Sequence, residues 1–112
     1  MKGDGRRPGR ISIRSSVRQL EARIRELSHD SSNMLWSNHA RDRMDERGIY
    51  ADDALRILRF GHARGSPEKT DRGEWKLKMV KAIKGAREAG VVTIVLTNGR
   101  LLIVTVEWED IR

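Results

Sequence analysis

The sequence predicts an α+β domain in which a helical hairpin packs on a three- or four-stranded, mostly antiparallel sheet, with an extra amphipathic helix at the N-terminus. Three observations lead there. Apolar residues recur every third or fourth position up to about residue 60, and every second position beyond it. Gly48 and Gly61 fall where two short helices would stop. Asn98-Gly99 joins two β-branched runs, Val91 to Thr97 and Arg100 to Trp108, as a two-residue type I′ turn would.

Taken in order, the chain opens on a basic arm. Lys2, Arg6, Arg7 and Arg10 alternate with Gly3, Gly5, Pro8 and Gly9, a composition that buries nothing and could follow a phosphate backbone. Ile13, Val17, Leu20, Ile24 and Leu27 then mark one helical seam, with Ser16 and Gln19 spaced as a capping box. Its exposed side is expected to carry Arg14, Arg18, Arg23 and Arg25. The seam must be covered, either by the body of the domain, by a second copy, or by a partner protein. Ser31, Ser32 and Asn33 break the pattern, so residues 1–33 read as arm and helix, and residues 34–112 as the α+β domain.

Residues 38–47 predict one helix and residues 51–60 a second, with Ala51, Ala54, Leu55 and Leu58 on its inner side. His62 to Pro67 reads as an edge strand, because Gly65 and Pro67 weaken a central one. Trp75, Leu77 and Met79 alternate with Lys76 and Lys78 as a half-buried strand, and residues 84–90 read as a loop. A type I′ turn at Asn98-Gly99 would set Leu96 opposite Leu101, Ile94 opposite Ile103 and Val92 opposite Thr105. Val92, Ile94, Leu96, Leu101 and Ile103 would then share one face, with Val91, Val95, Leu102, Val104, Val106 and Trp108 on the other.

The 112 residues allow one small core. There is no cysteine, which excludes disulfides and Cys-ligated metal sites and suits a reducing compartment. No apolar run approaches a membrane span, so a soluble, cytoplasmic protein is expected. The net charge of +7 favours anionic partners, nucleic acid first. Residues 1–33 hold eight Lys or Arg against four Asp or Glu, which puts the surplus on the arm and seam helix and makes Arg6, Arg7, Arg10, Arg14 and Arg18 candidate nucleic-acid contacts. Three Trp, one Tyr and one Phe do not suggest a base-stacking platform. His29, His39 and His62 have no ligand spacing, and no phosphate loop, nucleophile elbow or dinucleotide fingerprint is present, so neither metal nor cofactor is expected.

The stretch from Ser37 to Tyr50 is the best candidate for function. On one helix His39, Arg43 and Arg47 recur every fourth residue and form a stripe beside the apolar Trp36, Ala40 and Met44. Such a stripe is either an anion site or a solvated face whose arginines pair with Asp42, Asp45 and Glu46.

The string His39-Ala40-x-x-Arg43-Met44-x-x-Arg47-Gly48-Ile49, with a terminal Val104-Thr105-Val106-Glu107-Trp108-Glu109-Asp110, resembles a prokaryotic family known only as a domain of unknown function. That family in turn is similar to the RelE/ParE-like toxins of the barnase-like ribonuclease fold. The resemblance covers roughly residues 34–110 and departs at Tyr50, where Ser or Thr would cap the second helix. It implies a RelE-like fold and a metal-independent endoribonuclease acting on RNA. The alternatives are a ParE-like toxin or protein-binding module without nuclease activity, and a non-catalytic nucleic-acid-binding protein. Cleavage would need a proton acceptor, a proton donor and cations for the phosphorane charge. His39 would supply the titrating group, Arg43 and Arg47 the phosphate contacts, Glu107 the second proton carrier, and Thr105 a positioning hydroxyl. An antitoxin or a second copy would dock on the seam from Ile13 to Leu27.

Overall fold

The computed structural model describes residues 13–110. Its elements are α1 (Ile13–Ser28), a 3-10 turn (Ser31–Asn33), β1 (Met34–Trp36), α2 (Asn38–Arg47), α3 (Ala51–Phe60), β2 (His62–Lys69), β3 (Trp75–Lys84), β4 (Arg87–Val95) and β5 (Leu101–Trp108). The strands form one sheet in the order β1-β5-β4-β3-β2. β1 runs parallel to β5 and every other pair is antiparallel. The α+β class and both central helices follow the prediction, but the sheet has five strands rather than three or four. The unpredicted strand is β1, whose three residues are too few to show alternation.

Leu77, Met79, Val91, Leu101, Ile103, Val106 and Trp108 from the sheet are buried with Ala54, Ile57 and Leu58 of α3, Ile49, and Ile24 of α1. Ile24 is fully buried, and Leu20 and Leu27 pack against the same core. The body of the chain therefore covers Ile24 completely and Leu20 and Leu27 in part. Val17 is half-buried, and the side chain of Ile13 lies outside those described. Ser16 sits within α1 rather than at its start, so it forms no capping box.

Polar side chains of α1 also face inward. Arg25 donates to the carbonyl of Gly61 from Nε at 3.2 Å and Nη2 at 2.7 Å. Glu21 accepts the Ala63 amide at 2.6 Å, and Arg59 returns a bond to the Ser28 carbonyl at 2.8 Å. Arg25 is thus half-buried rather than on the solvent side, because the junction between α3 and β2 leaves backbone groups that need partners. No helix among the described residues is long and apolar enough to cross a membrane.

The β4–β5 connection departs from the predicted two-residue turn. The Leu96 amide donates to Arg100 at 2.9 Å and the Gly99 amide donates back to Leu96 at 3.0 Å. Gly99 has φ +85, so the loop has three residues and ends on a left-handed glycine. The extra residue slips the register by one near the tip, pairing Val95 with Leu101 and Ile94 with Leu102. A bulge between Val92 and Thr93 absorbs the slip, and Val92 pairs with Thr105 as predicted. The bulge also swaps faces: Leu101 and Ile103 share the buried side with Val91, Val106 and Trp108 instead of lying opposite them. Arg87 to Gly90 belong to β4, so the predicted loop over residues 84–90 shrinks to a tight turn at Gly85 and Ala86.

Candidate functional site

α2 lies along the part of β5 that the short β1 leaves without a strand partner. Ser37 caps the helix, its Oγ accepting the Ala40 amide at 2.9 Å, and the same hydroxyl donates to the Val104 carbonyl at 3.1 Å. One helix length away, Arg47 Nη1 donates to the Val106 carbonyl at 2.7 Å. Trp108 Nε1 closes the set by donating to the Arg47 carbonyl at 2.8 Å. The bonds to Val104 and Val106 satisfy edge carbonyls that a neighbouring strand would otherwise take, and the bond from Trp108 satisfies a carbonyl at the helix end. Gly48, at φ +65, ends the helix as predicted.

The helix-free face of the sheet carries a row of charges. Lys78 on β3 lies 3.0 Å from Glu107 Oε2 and 3.0 Å from Glu109 Oε1. Arg64 on β2 lies 3.2 Å from the same Glu109 oxygen and 3.1 Å from Glu88. The result alternates: Glu107, Lys78, Glu109, Arg64, Glu88. Burial opposes the Lys78 charge, but hydrogen bonds and proximity to Glu107 and Glu109 outweigh it and hold the pKa above the ordinary lysine value. The bond to Glu88, with a smaller share from Glu109, likewise raises the Arg64 pKa.

The Lys78 shift has a measurable consequence. Because the charged form is favoured in the folded state, its contribution to stability is complete below the ordinary value of 10.5 and is lost as pH rises through the folded value. As pH rises above about 10.5 the unfolding free energy should therefore fall more steeply for the wild type than for Lys78→Met. Parallel denaturant titrations across that range check it, and equal slopes would refute it.

Three shallow hollows surround the charged row. Arg47, Lys78, Glu107, Trp108 and Glu109 line the first, of about 220 Å³. The second, of about 350 Å³, adjoins it through Lys78 and Glu107 and reaches Arg64 and Ser66, in the stretch where β2 loses register with β3. The third, of about 230 Å³, lies between Arg64, Arg87, Glu88 and Glu109.

The predicted site residues are distributed unevenly about these hollows. Arg47 and Glu107 line the first together. Arg43 is half-exposed and pairs with Glu46, as the solvated-face reading has it. His39 is exposed in the first turn of α2 and has no hydrogen bond among the described residues. Thr105 is half-buried opposite Val92. Arg18 is exposed on α1, while Arg6, Arg7 and Arg10, and the side chain of Arg14, lie outside the described residues. No group of three or more His, Cys, Asp or Glu among the described residues is arranged to hold a metal ion.

Sequence reasoning missed Lys78, Glu109 and Arg64. The two-residue spacing of Lys76 and Lys78, and of Glu107 and Glu109, marks each pair as sharing a face, but only the pairing of β3, β4 and β5 brings Lys78 to Glu107 and Glu109.

The family described as "Domain of unknown function (DUF4258)" matches residues 36–108. The chain belongs to that family. No curated protein and no solved structure matches it. The DUF4258 segment holds α2, α3 and β2 to β5, and with them Arg47, Lys78, Glu107 and Trp108 of the first hollow. Glu109, which completes the charged row, follows directly after the DUF4258 match.

Proposed function

We propose that this DUF4258 chain is an RNA-directed, metal-independent endoribonuclease of the RelE-like kind. The observation that carries the reading is Arg47. One guanidinium nitrogen is braced on the Val106 carbonyl at 2.7 Å, the side chain lines a polar hollow, and no carboxylate among the described residues pairs with it. A braced guanidinium with donors to spare suits a phosphate, and Glu107, which lines the same hollow, would accept the proton of a 2′-hydroxyl. His39 and Arg43 continue the stripe along α2. Eight residues separate His39 from Arg47, about 12 Å along a helix, so their side chains would have to reach toward each other to act on one phosphate.

A binding-only protein, whether a ParE-like module or a nucleic-acid-binding one, has one observation in its favour. Among the described residues His39 has no hydrogen-bond partner to fix its ring, whereas a proton-transferring imidazole is usually oriented by a second group. Induced expression separates the readings. For an endoribonuclease the wild type should arrest growth and degrade RNA, while His39→Ala and Glu107→Gln leave RNA intact and Arg47→Met weakens RNA binding by about tenfold or more. Intact RNA in wild-type cells, with salt-dependent binding that ignores His39, would leave the binding-only reading standing.

A further inference from the structure

Glu109 is the first residue after β5, and its carboxylate bridges Lys78 and Arg64 with a side chain only 9% exposed. It lies over Gly90, where a Cβ would come within 2.6 Å of its Oε2, so the absence of a side chain at Gly90 makes the space it fills. Glu109 also lines both the hollow that holds Arg47 and the hollow that holds Arg64 and Arg87, and so forms the partition between them. Its backbone is held by the hydrogen bond that its amide donates to the Glu88 carbonyl at 3.0 Å, so rotation of the side chain alone would join the two spaces.

We infer that Lys78 and Arg64 form an anion seat, filled in this structure by the chain's own Glu109 and open to a phosphate group when that side chain swings out. Removing Glu109 strands neither cation, since Lys78 keeps Glu107 and Arg64 keeps Glu88. The charges lining the two hollows balance while Glu109 is in place: Arg47, Lys78, Arg64 and Arg87 against Glu107, Glu109, Glu88 and Asp110. Without it one positive charge is left over, which suits a singly charged phosphate group. The seat then extends the Arg47 hollow across the sheet, whether or not the chain cleaves RNA.

The test titrates inorganic phosphate and a short single-stranded RNA into the full-length protein by calorimetry at one low salt concentration, with thermal melts to monitor folding. Glu109→Ala should tighten binding about tenfold, and adding Lys78→Met should remove that gain. Glu109→Gln keeps the shape of the side chain and one acceptor oxygen for Lys78 and Arg64, which favours folding, and should give a smaller gain in the same direction. Glu26→Gln removes the same charge from a side chain 73% exposed on α1 and should change affinity less than about twofold. A gain for RNA alone identifies a phosphodiester as the occupant and a gain for phosphate alone identifies the free anion, and either supports the seat. No gain in a folded Glu109 variant, or an equal gain in Glu26→Gln, overturns it.

Discussion

Trp108→Ala is expected to lower the unfolding free energy by about 3–5 kcal/mol, a large share of what a domain of this size has to lose. The indole is only 6% exposed and packs in the core beside Ile103 and Val106. It also carries two polar contacts: Nε1 donates to the Arg47 carbonyl, and the Arg87 guanidinium lies 4.0 Å over the ring. Removing the side chain opens a cavity and frees the end of α2 that positions Arg47. Trp108→Phe retains most of the apolar volume but orphans the carbonyl, for a cost of about 1–3 kcal/mol. Chemical denaturation of both variants checks the order. A loss below about 1 kcal/mol for Trp108→Ala would mean that the ring is not core.

Gly61→Ala is expected to cost about 3 kcal/mol, although nothing about its φ forbids alanine. A Cβ there would meet the carbonyl oxygens of Val80 and, at 2.5 Å, Ile57. Both are backbone atoms that cannot swing aside as the end of a side chain would. The same carbonyl of Gly61 receives both bonds from Arg25, so a shift at this residue also loosens α1. Gly48→Ala makes the control. Its φ is +65 with open space around it, so only backbone strain applies, about 1 kcal/mol. Thermal melts showing the two variants equally destabilised would remove close packing as the reason for Gly61.

Much of this was legible from local patterns. Helices at 38–47 and 51–60 follow from apolar spacing closed by Gly48 and Gly61, because a helix repeats every 3.6 residues and each turn reports on the next. The Leu20, Ile24 and Leu27 seam was legible as apolar, but its cover was not, since periodicity shows that a face is buried and not what buries it. The hairpin tip is not set by the dipeptide alone, because Asn98-Gly99 serves a three-residue loop as well as a two-residue one. The choice rests on φ +85 at Gly99 and on the compensating bulge beside Val92.

The candidate site divides in the same way. Arg47 and Glu107 could be named from the sequence because each sits in a recognisable string. Lys78, Arg64 and Glu109 could not, because three strands contribute them and no spacing along the chain connects residues 64, 78 and 109.

By itself the sequence determined the class of fold, the extents of the two central helices and the basic stripe on the first of them, since these depend on contacts within a few residues. Tertiary structure alone decided which charges meet. The order β1-β5-β4-β3-β2 brings Lys78 between Glu107 and Glu109, and the short β1 leaves an edge that Arg47 must cap. Strand order and register are set by burial summed over the whole sheet, a quantity that no local stretch of chain contains.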